Sequence, residues 1–128
     1  MTPEQLIKYT ILGLVAVWSD TQISPTLSAE EVEELWDDLD DDMGAISEVR
    51  CSGVPTGLSA DYSRHYESEA VAVQAPNGQW VGFTHWYGGG KFGDPDSIDW
   101  MEHAYHLDCL EEEKLVVVQT FTKKGDTK

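Results

Sequence analysis

The sequence predicts an α+β domain: an antiparallel sheet of about four strands covered by two N-terminal helices and one helix before the last strand. Three observations carry this. Two capped, amphipathic segments open the chain, the hydrophobic pattern turns to period two after Gly44, and an Asn-Gly pair joins two strong strand signals. The 128 residues fit one domain with a real core, and 41% are hydrophobic, so the chain is not compositionally disordered.

The first helix begins with Thr2 as N-cap, Pro3 at N1 and Gln5 closing a capping box. Leu6, Ile7, Ile11, Leu14, Val15 and Trp18 recur at helical spacing, and Gly13 leaves room for a close neighbour. Its apolar run from Tyr9 to Trp18 is well short of the roughly 18 residues a membrane span needs, so it reads as a buried helix. After "TQISPT", Ser28 caps a second helix with Glu31 as its capping-box partner, and Gly44 is its expected stop. Val32, Leu35, Trp36, Leu39 and Met43 form its apolar stripe.

"ISEVRCS" then alternates as a short strand, and "GVPTGLSADYSR" is a loop. "YESEAVAVQAPNGQWVGFTHWYGGG" reads as a hairpin, with Asn77-Gly78 supplying the positive φ of a tight turn. "DPDSIDWMEHAYHLDC" is expected as a third helix capped near Asp96, and "KLVVVQTFT" as a final strand. Residues 1–122 form the single expected domain, and 123–128 a frayed tail.

Charge is the anomaly. Eight basic residues against twenty-four acidic ones give −16 and a pI near 4.3. Small soluble domains are comfortable at a magnitude of about 2–8. This field repels nucleic acid and anionic membranes and attracts basic protein faces, which argues against direct DNA binding. The segment "LSAEEVEELWDDLDDDMG" packs nine acids into eighteen positions. Glu30, Glu34, Asp37 and Asp41 follow at spacings of three and four, with Cβ atoms about 5–6 Å apart, a length scale near that of phosphates along a DNA strand. A solvated face explains many charge runs. Here, however, like charges at i,i+4 cost about 0.2–0.5 kcal/mol per pair, no lysine within the segment offsets them, and the excess continues at Asp94, Asp96, Asp99, Glu102, Asp108 and Glu111 to Glu113.

Other chemistries fit less well. Taking Asp38, Asp40 and Asp42 as positions one, three and five of a calcium loop puts Met43 where glycine belongs and Val49 where glutamate belongs. His103, His106 and Cys109 lie three apart on the expected third helix, and with Cys51 or His85 from the sheet they compose a metal- or small-ligand-binding alternative; no paired zinc motif accompanies them. "GGGKFGD" is no phosphate loop, because a first glycine falls at His85 and Phe92 replaces the Ser or Thr. His85 beside Asp94 or Asp96 is a conceivable acid/base, but a strand histidine next to Trp86 and Tyr87 is more often packed. No set of nucleophile, base and oxyanion donors is present, and the expectation is a non-enzyme without cofactor. "HWYGGGKFGD" reads equally as a recognition loop, with Trp86 and Tyr87 as interface anchors, or as core cover. Exposed aromatics meeting their own copies would instead make a homo-oligomeric accessory protein, and the oligomeric state is open. Two cysteines and no secretory n-region, h-region and cleavage pattern point to the cytoplasm.

In size, charge and the "EEVEELWDDLDDD" helix, the chain resembles small acidic proteins of phages and mobile elements, some of which neutralise host defence nucleases by imitating DNA. The resemblance implies an inhibitor or regulator, of anti-CRISPR or anti-restriction type, that binds a basic nucleic-acid-handling protein. The residues expected at that contact are Glu30, Glu31, Glu34, Asp37, Asp38 and Asp41, with Trp86 and Tyr87 as anchors.

Overall fold

The computed structural model describes residues 1–40, 44–64, 66–88, 99–109 and 121. Its elements are α1 (Pro3–Trp18), α2 (Ala29–Asp37), α3 (Ala45–Ser52), β1 (Val54–Pro55), β2 (Glu67–Gln74), β3 (Trp80–Tyr87) and β4 (Tyr105–Leu107). The four strands form one antiparallel sheet in the order β1-β2-β3-β4, so the class is α+β as expected. The expected final strand from Lys114 and the tail 123–128 lie outside the described residues, apart from Phe121.

Thr2 and Gln5 form the capping box that starts α1, with Pro3 in its first turn. This helix is buried on two sides, which is why its apolar run is so broad. Leu6, Ile7 and Ile11 join Val71, Val73, Val81 and Phe83 of the sheet in the main core. Tyr9 and Leu12, on another side of the helix, join Val32 of α2 in a second cluster. The C-terminal Val17 and Trp18 remain exposed, although Trp18 was expected inside. A Cβ on Gly13 would meet Pro76 Cγ at 3.0 Å, so the glycine seats the hairpin tip against the helix. Among the described residues, no helix is long and apolar enough to cross a membrane.

The β2–β3 hairpin is in the expected place but turns differently. Gly78 N donates to Ala75 O and Ala75 N to Gln79 O, each at 2.9 Å. Pro76 takes the second position of the turn, and only Gly78 has positive φ (88°). A three-residue loop ending in a left-handed glycine therefore replaces the expected two-residue turn on Asn77-Gly78.

Two elements correct the sequence reading. The segment read as a strand, Ile46 to Ser52, is helix α3. Ala45, Ile46 and Val49 satisfy helical spacing as well as they satisfy alternation, and a seven-residue segment cannot be decided by period alone. Gly44 takes a left-handed conformation (φ 76°) as its N-cap, and Ala45 and Val49 reach the main core. Buried Arg50 donates from Nη1 to Trp86 O at 3.0 Å, tying α3 to β3.

The second correction concerns the expected helix from Asp96. Its described part, residues 99–109, bends at Met101–His103 and continues as β4, which pairs Leu107 with Trp80 and Tyr105 with Gly82. The cause is on β3: a Cβ on Gly82 would lie 2.4 Å from Tyr105 Cε2 and 2.8 Å from Leu107 Cδ1, so only glycine leaves room for these two side chains.

Gly82→Ala is accordingly expected to displace β4 and destabilise the fold by about 1–3 kcal/mol, the usual cost of overpacking. Urea unfolding checks this through a lower midpoint, and an unchanged midpoint would contradict the strand assignment.

Candidate functional site

The acidic segment is positioned by α1. Tyr9, fully buried, donates its hydroxyl to Ser24 O and accepts from Leu27 N at 3.2 Å, which fixes the connector leading into α2. Ser28 and Glu31 then make the expected capping box. Val32 is buried, and Trp36 and Leu39 pack beside it against α1. The helix ends at Asp37 rather than at Gly44, and Asp41 and Met43 lie outside the described residues.

One lysine divides the acids into two groups. Lys8 Nζ reaches Glu33 Oε1 at 3.1 Å and Oε2 at 3.0 Å, approaches Glu4 at 3.8 Å, and lies 5.6 Å from the centre of the Trp36 ring. Glu33 is thereby paired across the flank of the α1–α2 contact, a structural role its place in the acidic run does not reveal. Glu30, Glu34, Asp37 and Asp38 stay exposed and make no ion pair with another described residue, while exposed Glu31 is held in the cap. Three of them, Glu30, Glu34 and Asp37, keep the one-sided helical row predicted from their spacing.

Leu35 departs from expectation. It was placed in the apolar stripe but is 44% exposed. With α1 as the docking partner, the buried seam is narrow, running through Val32, Trp36 and Leu39 at i, i+4 and i+7. Leu35 is left on the flank among Glu31, Glu34 and Asp38. Asp37 and Asp38 also sit at the C-terminal end, where the helix dipole is already negative and no basic residue is present. Carboxylates there cost about 0.3–1 kcal/mol each, so they do not serve helix stability.

Of the two proposed anchors, Trp86 is only 8% exposed, packed within the sheet. Tyr87 is 40% exposed at the end of β3, with its ring 5.6 Å from that of His85. Phe92 and the partners suggested for His85, Asp94 and Asp96, lie outside the described residues.

The His–Cys constellation loses the helix that would have aligned it. His103 is in a turn, His106 is on β4 opposite Val81, and Cys109 follows that strand; all three are exposed. Among the described residues, no three His, Cys, Asp or Glu side chains gather closely enough to hold a metal ion.

A different cluster is assembled instead, beside β2 and β3. Ser68 Oγ donates to Asp61 O at 2.6 Å, and Thr84 Oγ1 donates to Asp61 Oδ2 at 3.4 Å. These contacts fix Asp61 over β2 and β3. Asp61, Thr84, Trp86, Asp99, Trp100 and His103 line a pocket of about 230 Å³. Nearby, burial and then the charge of Asp61 push the Tyr105 hydroxyl above the ordinary value of 10.0.

A raised folded-state pKa means that the fold favours protonated Tyr105, so its contribution is present below pH 10 and is lost as pH rises past the unfolded value. Tyr105→Phe is therefore expected to show a shallower loss of stability above pH 10 than the wild-type chain, measured by thermal unfolding across pH 8 to 11.5, roughly the range in which tyrosines titrate. Parallel curves would contradict this. Comparisons with protein-family models, with curated proteins and with solved structures find no match for this chain.

Proposed function

We propose that this chain is a non-enzymatic acidic protein that binds a basic, nucleic-acid-handling protein and inhibits or regulates it, with the α2 carboxylates standing in for DNA phosphates. One observation carries the reading: Glu30, Glu34, Asp37 and Asp38 are held outward on a fastened helix, uncompensated by any described cation and partly at a helix end that disfavours them. Asp41 extends the row in sequence, Glu31 flanks it, and exposed Leu35 supplies apolar contact area beside it. Tyr87 is the aromatic that remains available as an anchor.

A formal charge of −16 steers a basic partner toward this surface from a distance, and salt weakens that attraction because screening at 0.1 M acts over about 10 Å. An anti-defence inhibitor in the cytoplasm fits this chemistry, and the free, exposed thiols of Cys51 and Cys109 suit a reducing compartment.

The test is capture from nuclease-treated bacterial lysate by the tagged chain and by the double variant Glu34→Lys, Asp37→Lys. The wild-type chain is expected to retain a basic nucleic-acid-binding protein that elutes at high salt. The variant is expected to retain none while melting at the same or a slightly higher temperature, since lysine near a helix C-terminus is favourable. Undiminished capture by a folded variant would exclude α2 as the contact.

A further inference from the structure

The pocket beside Asp61 has a composition that selects its ligand. Its lining includes Trp86 and Trp100, both less than a tenth exposed. Trp100 is fixed against Phe83, with ring centroids 4.7 Å apart, and Trp86 is fixed through its carbonyl by Arg50. Asp61, Asp99 and His103 are exposed residues that complete the lining, and the hydroxyl of buried Thr84 donates a hydrogen bond to Asp61.

Size and charge narrow the ligand class. At about 230 Å³ the pocket is below the roughly 300–1,000 Å³ of drug-sized and cofactor sites, which leaves room for one small head group. Two carboxylates at its opening repel phosphates and carboxylates. A metal ion finds no group of three ligating side chains among the described residues. Indole faces attract cations within about 6 Å, and more strongly where water is excluded.

We propose that this pocket is a socket for one organic cation, an alkylammonium or guanidinium head group, with the head near Asp61 and Asp99 and its carbon stem against Trp86 and Trp100. The socket is independent of α2, which packs on the other side of α1. The head group has two sources, a lysine or arginine side chain of another protein or a free amine.

The experiment titrates the isolated chain with n-butylammonium and n-butylguanidinium, following the indole N–H resonances of Trp86 and Trp100 by NMR, with neutral n-butanol as the matched control. Saturable shifts at these two indoles with the cations and not with the alcohol are expected, weakened several-fold in Asp99→Asn. Asp99 is exposed, so that variant keeps its fold. No saturable shift, an equal response to the alcohol, or unchanged affinity in Asp99→Asn would overturn the proposal. A blocked Gly-Lys-Gly peptide binding more tightly than butylammonium assigns the source to protein side chains, and the reverse order assigns it to a free amine.

Discussion

The packing of α2 on α1 through Val32, Trp36 and Leu39, clamped by the Lys8–Glu33 ion pair, decides how this chain presents its charge. A helix of nine residues with four glutamates and a terminal aspartate does not hold itself together by propensity. It is held because Val32 and Trp36 pack on α1 and because Lys8 forks onto both oxygens of Glu33 over the Trp36 ring. Lys8 is largely covered, so screening weakens this pair less than it would a pair in open water. The rotation of α2 follows from its apolar seam: with Val32, Trp36 and Leu39 on α1, Glu33 lies on one flank within reach of Lys8, Glu30, Glu34 and Asp37 face outward, and Leu35 lies on the other flank.

The rest of the fold supplies the platform. Broad burial of α1 lets one helix serve both the sheet and α2, so the acidic surface is referenced to the most buried part of the molecule. Tyr9 ties down the connector between the helices at two backbone groups. Beside β2 and β3, the bonds from Ser68 and Thr84 to Asp61 bring a loop carboxylate near two tryptophans that are distant from it in sequence. The molecule thus carries two anionic features of different kinds, a convex row on a helix and a small concave pocket with aromatic walls.

Local signals made much of this legible in the sequence. Thr2 with Gln5 and Ser28 with Glu31 marked both helix starts, and alternation with a glycine turn marked the hairpin. The outward positions of Glu30, Glu34 and Asp37 followed from spacing alone. What was not legible depended on distant partners. Glu33 looks like its neighbours until Lys8, 25 residues earlier, is placed beside it. Tyr105, His106 and Leu107 fit a helix until the bare backbone of Gly82 makes room for a strand. Residues 45–52 fit either period, and the left-handed Gly44 together with the core contacts of Ala45 and Val49 decides for helix. The pocket joins residues from 61 to 103 and has no signature within any one segment.

Whether α2 occupies the place of DNA on a basic partner is open to a competition measurement. A labelled DNA duplex bound to the captured partner is titrated with this chain, and fluorescence anisotropy reports whether the duplex is released. Full displacement at low salt is expected, with the chain and the duplex never bound together. A stable ternary complex, in which the duplex keeps its anisotropy while the chain is also bound, would contradict it.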